Sequence, residues 1–114
     1  MPKTDLENDF DKVVEETLNN IREKLIIKGK EYRRFNNPFH NFEVGARKKN
    51  ITREKALDGM LLKHEISIED MTNDLDYGIL PSESAVNEKF EDNLVYLILK
   101  KAMFLDRITK SKNE

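Results

Sequence analysis

Residues 84–108, SAVNEKFEDNLVYLILKKAMFLDRI, leave the chain few ways to fold. Past Asn93 this stretch is apolar on nearly every side, through Leu94, Val95, Leu97, Ile98, Leu99, Ala102, Met103, Phe104 and Leu105. A helix apolar all round belongs inside a bundle rather than on its surface. Its one sustained polar stripe is Lys89, Asn93, Tyr96 and Lys100. At about 100° per residue, Glu88 and Asp92 fall off that stripe and in line with Val95, Leu99, Ala102 and Met103, the side that faces neighbouring helices. Inward carboxylates are costly unless a cation or a hydrogen-bond network meets them. They are therefore the first candidate site.

The 114 residues suffice for one domain with one core, expected over residues 1–110, with 111–114 as a frayed, disordered tail. Charged residues make up 37% and there are only 4 Gly and 3 Pro, which favours helices over turn-rich β architecture. The absence of cysteine excludes disulfides and thiolate metal sites and predicts a reducing, cytoplasmic setting. The opening MPKTDLENDFDK is acidic and lacks the apolar core of a secretory signal. The apolar run 94–99 is too short to span a bilayer, so no membrane partner is expected.

A net charge of −2 argues against a dedicated DNA-binding module, but it hides a segregated pattern. Residues 28–55 carry nine bases and three acids, whereas 56–92 carry two bases and ten acids. The first segment suits a phosphate and the second a divalent cation; the bland alternative is two solvated helical faces.

Local signals divide the chain into helices. Thr4-Asp5-Leu6-Glu7 has the form of a capping box, and Phe10, Val13, Val14, Leu18, Ile21 and Leu25 follow at helical spacing. Gly29 weakens that helix, and 33–42, with Asn36, Asn37 and Pro38, reads as a loop whose Phe35, Phe39 and Phe42 either anchor it or meet a flat ring. A short helix is expected over 41–49, broken at Asn50, and Thr52 caps a helix over 53–75. Its apolar stripe is Leu57, Met60, Leu61, His64, Ile68, Met71 and Leu75. Ser82 or Ser84 caps the last helix. The expected fold is all-α, a compact three- to four-helix bundle with a long apolar C-terminal helix, completed by oligomerisation.

Candidate chemistry gathers in two places. His64 sits within its apolar stripe, with Lys63, Ser67 and Asp70 on one edge and Glu65 and Glu69 on the other. Carboxylates from this helix and the last one suit a hard divalent cation; the competing reading is an ion-pair network, for instance Lys63 with Asp92. In the basic segment, Lys30, Arg33, Arg34, His40 and Arg47 are candidates for phosphate oxygens, and Tyr32, Phe35, Phe39 and Phe42 for stacking on a base. The competing reading there is a solvated loop with core-anchoring rings. No Gly-rich phosphate loop, nucleophile elbow, HExxH or EF-hand loop is present.

The order Gly29-Lys30-Glu31-Tyr32, Asn41-Phe42, Lys63-His64-x-x-Ser67-x-x-Asp70 and Glu88-Lys89-x-x-Asp92-x-x-x-Tyr96 resembles small phage proteins described as nucleotide-modification-associated or MazG-like. The resemblance spans about residues 28–100. It implies an all-α, oligomeric, Mg²⁺-dependent enzyme that cleaves a nucleoside triphosphate to monophosphate and pyrophosphate in the cytoplasm of an infected cell. Glu88 and Asp92 would match the carboxylates of the family's last metal-binding helix. The family's E-x-x-E pair has Glu65 and Glu69, one residue too far apart, as its nearest equivalents for the metal, or Asp70. Lys63, His64 and Asp70 form the implied catalytic set. Lys30, Tyr32, Arg33, Arg34, Phe39, His40, Asn41, Phe42, Ser67 and Tyr96 are the candidate nucleotide contacts. Two alternatives stand beside the enzyme: a protein that sequesters an intact, defence-signalling nucleotide, and an inhibitor that docks on a host protein.

Overall fold

A computed structural model describes residues 2–113, and the side chains of Lys28 and Tyr32 lie outside what it describes. The described residues form four α-helices and no strands: α1 (Asp5–Tyr32), α2 (His40–Lys49), α3 (Arg53–Asp74) and α4 (Glu83–Lys112). None is long and apolar enough to cross a membrane.

The helix starts follow the side-chain caps. Thr4 Oγ1 accepts from Glu7 N–H at 3.1 Å, Thr52 Oγ1 from Lys55 N–H at 3.2 Å, and Ser82 Oγ from Ala85 N–H at 3.1 Å. Asn50, at φ 55° and ψ 49°, ends α2 in the left-handed conformation. α1 does not stop near Gly29. It runs to Tyr32, because a single glycine costs a helix only about 1 kcal/mol and no proline follows until Pro38. Phe35 (φ 53°) and Asn36 (φ 63°) then reverse the chain, closed by paired backbone hydrogen bonds between Arg34 and Asn37. α3 gives way to a 3-10 turn at Leu75–Tyr77, and α4 includes Ser111 and Lys112, two residues of the expected tail.

α3 and α4 run antiparallel: Arg53 meets Asp106, Asp58 meets Lys100 and His64 lies beside Asp92. Between them and α2 sits the core, made of Phe39, Phe42, Leu57, Leu61, Tyr96 and Met103, with Leu99 and Ala102 against it. Two expectations for α4 are corrected by this packing. Tyr96 is buried, not part of a polar stripe, and α4 does not lie in the middle of a bundle. One side of α4 packs inward, while Leu94, Leu97, Ile98, Phe104 and Leu105 on the other stay exposed.

The molecule is also less compact than expected. Its radius of gyration is 17.5 Å, against about 13 Å for a compact domain of this length. The first half of α1 is open to solvent, with Leu6, Phe10, Val13, Val14 and Leu18 all exposed.

Candidate functional site

Three helices converge on a polar cluster. On α1, Asn20 and Lys24 stand one turn apart, on the side that also carries the buried Ile21. Asn20 Nδ2 donates to Glu91 Oε2 at 3.0 Å. Lys24 Nζ lies 3.1 Å from Asp92 Oδ1 and 3.3 Å from Glu91 Oε1. From α3, His64 Nε2 approaches Asp92 Oδ2 at 4.0 Å, and the imidazole stacks on Tyr96 with centroids 5.6 Å apart. Glu91 and His64 are buried, and the Asp92 side chain is 13% exposed.

Burial alone pulls the Lys24 ammonium toward neutrality. The hydrogen bonds and charges of Asp92 and Glu91 outweigh it and leave the Lys24 pKa raised. Lys24 therefore stays a cation wedged between two carboxylates. A divalent ion would have to displace it, and among the described residues no three His, Asp or Glu side chains are gathered to hold a metal. Of the expected metal set, Asp92 alone lies in this cluster; Glu65, Glu69 and Glu88 are exposed. This donor set does not fit Mg²⁺.

A second feature lies on the side of α1 turned away from α4. Arg22, Ile26, Lys30 and Arg33 recur at helical spacing, and with Leu25 they line a groove of about 330 Å³. No carboxylate lines it, and none of the three cations has an ion-pair partner among the described residues. A larger cleft of about 430 Å³, lined by Glu43, Arg53, Asp106, Arg107, Lys110 and Ser111, is different in kind. There Arg53 bonds Glu43 at 3.0 Å and Asp106 at 2.9 Å, and Arg107 chelates Glu54 at 2.6 and 2.8 Å. The Arg107 hydrogen bonds hold the Glu54 carboxyl below its ordinary range against the opposing effect of burial, while those from Lys110 and Arg53 do the same for Asp106. The cations of that cleft are spent on tying α2, α3 and α4 together.

The remaining expected contacts are scattered. Lys30 and Arg33 share the α1 groove, but Arg34 extends over the exposed Phe35 ring at 5.0 Å. Phe39 and Phe42 are buried in the core, with the Arg53 guanidinium 4.8 Å from the Phe39 ring, so the protein itself uses these rings. Asn41 Nδ2 donates to the Glu31 carbonyl at 3.2 Å, Ser67 Oγ to the Lys63 carbonyl at 3.1 Å, and half-buried His40 opens α2. Lys63 and Asp70 are exposed, and the Tyr32 side chain lies outside the described residues.

Sequence reasoning missed Asn20, Lys24 and Glu91 in the cluster and Arg22 in the groove. The four-residue spacing of Arg22, Ile26 and Lys30 was a usable signal. The pairing of Lys24 with Asp92, across 68 positions, had none. Comparison with known protein families, with curated proteins and with solved structures finds no match.

Proposed function

We propose that this chain binds a nucleotide and holds it intact, with the phosphates in the Arg22–Lys30–Arg33 groove. The observation that carries this reading is three cations without an ion-pair partner among the described residues, set around an apolar floor with no acidic side chain in the lining. Guanidinium groups match phosphate oxygens in pairs, and the ammonium of Lys30 adds a point charge beside them. Leu25 and Ile26 offer the apolar surface that a base or ribose face can cover, and the volume is at the lower end of small-ligand sites. Hydrolysis, which the resemblance to MazG-like proteins implies, has less support. Its metal would need carboxylates that Lys24 already neutralises.

The test incubates the protein with nucleoside triphosphates, dinucleotides and cyclic nucleotides, with Mg²⁺ or with EDTA. After filtration, the retained protein is denatured and both fractions are read by mass spectrometry. The expected result is an unaltered nucleotide released from the protein, retained equally well in EDTA. Monophosphate and pyrophosphate appearing only with Mg²⁺ would overturn it in favour of the enzyme.

A further inference from the structure

The side of α1 that docks on α4 does not end where α4 ends its contact. Through Asn20, Ile21 and Lys24 it meets α4 in its own chain. Toward the N-terminus the same side continues as Val14, Val13, Phe10 and Leu6, with Leu18 at its edge. These five side chains are between 41% and 79% exposed. The outer side of α4 poses the same problem. Phe90, Leu94, Leu97 and Ile98 recur at spacings of three and four, as do Phe104, Leu105 and Ile108 past Lys101, and all seven are 38–52% exposed. Contiguous apolar surface of this extent marks an interaction site on a soluble protein.

Charge decides what covers these two stripes. Residues 5–18 carry six acids (Asp5, Glu7, Asp9, Asp11, Glu15, Glu16) and one base, Lys12. Residues 94–112 carry five bases and one acid, Asp106; Lys100, Arg107 and Lys110 are held by Asp58, Glu54 and Asp106, which leaves Lys101 and Lys112 to face a partner. An acid-flanked apolar stripe and a base-flanked one are complementary, whereas either stripe against its own copy would oppose like charges.

We propose that the occupant of each stripe is a second copy of this chain: the first half of α1 from one protomer lies along the outer side of α4 of the other, reciprocally about a two-fold axis. Both stripes are then covered in both protomers. The twelve side chains give two copies a shared apolar surface on the order of 2,000 Å², within the range of obligate homodimers. The α1–α4 packing within one chain is thereby repeated between chains.

Charge reversal tests the pairing without touching the apolar residues. Sedimentation equilibrium on the full chain should give twice the 13.4 kDa protomer mass. Asp9→Lys/Glu16→Lys and Lys101→Glu/Lys112→Glu should each raise the dissociation constant at least tenfold, with helical circular dichroism preserved. An equimolar mixture of the two variants should recover the dimer, because both reciprocal contacts become complementary again. A monomeric wild type, variants that dimerise as tightly as wild type, or a mixture that stays monomeric would each overturn the proposal.

Discussion

Lys24 Nζ stands 3.1 Å from Asp92 and 3.3 Å from Glu91, so one ammonium on α1 serves two adjacent carboxylates of α4. Glu91 is 5% exposed and is further held by the Asn20 amide. Two like charges on neighbouring residues repel unless a cation intervenes. Lys24 is thus the condition under which α4 can bring both acids into its packed side, and it fixes where α1 docks.

Removing that cation should therefore destabilise the fold. Lys24→Met keeps the packing stem but leaves two poorly solvated carboxylates unpaired, at a cost of about 1–3 kcal/mol. The Lys24 side chain is 28% exposed, which keeps the effect below that of a fully buried pair. Adding Glu91→Gln and Asp92→Asn together should restore most of the loss, a coupling read by a cycle in which the two acids are changed as one unit. Millimolar Mg²⁺ should leave the wild-type melting temperature unchanged and raise that of Lys24→Ala, since only the variant frees its carboxylates. A wild type stabilised by Mg²⁺ would refute this role of Lys24.

Core and surface positions on α3 should separate sharply. Leu57 is fully buried against Phe39, Phe42, Tyr96 and Met103, so Leu57→Ala should cost about 2–5 kcal/mol. Ile66 on the same helix is 48% exposed, and Ile66→Ala should change stability by less than about 1 kcal/mol. Urea denaturation with unchanged m-values checks both.

The contrast shows what the sequence made legible. Thr4, Thr52, Ser82 and Asn50 mark helix ends through contacts a few residues away, so their roles can be read locally. The same is true of the periodic stripe that buries Leu57, Leu61 and His64. α4 was a partial guide: Val95, Leu99, Ala102 and Met103 read as its inner side and do pack inward, but a helix apolar on most sides leaves the edges of that side undefined. Tyr96 reads as part of a polar stripe, yet its ring is buried and stacked on His64. The candidate site was half legible for the same reason. Asp92 reads as an inward carboxylate, but the cation that meets it is set by how α1 docks, and it is Lys24 rather than the Lys63 to which the sequence points.

The groove on α1 makes a prediction distinct from those about stability. Arg22, Lys30 and Arg33 have no ion-pair partner among the described residues, so removing one should cost the fold little. Each charge-assisted hydrogen bond to a phosphate is worth about 1.5–3 kcal/mol. Arg33→Ala or Arg22→Ala should then weaken nucleotide binding roughly 10- to 100-fold by titration calorimetry. Arg47→Ala, on exposed α2 surface, should leave affinity within about twofold. Equal effects from Arg47 and Arg33 would mean diffuse electrostatic attraction rather than a site.

Acid should weaken the junction of α3 with the end of α4. The Arg107 hydrogen bonds lower the Glu54 carboxyl below its ordinary 4.5, and those from Lys110 and Arg53 lower Asp106 below its ordinary 3.8. A group with a depressed folded pKa contributes stability that is complete above its unfolded pKa and is lost as pH falls through the folded value. The contribution is therefore full at pH 7 and above 4.5, and it disappears progressively at lower pH. Arg107 is half exposed, so the pair should be worth about 1 kcal/mol. Glu54→Gln should accordingly lower the melting temperature at pH 7 by about 3–6 °C. Between pH 5 and pH 3 the wild type should lose stability faster than the variant, and the two melting curves should draw together. Parallel losses across that window would show that the acid sensitivity arises elsewhere.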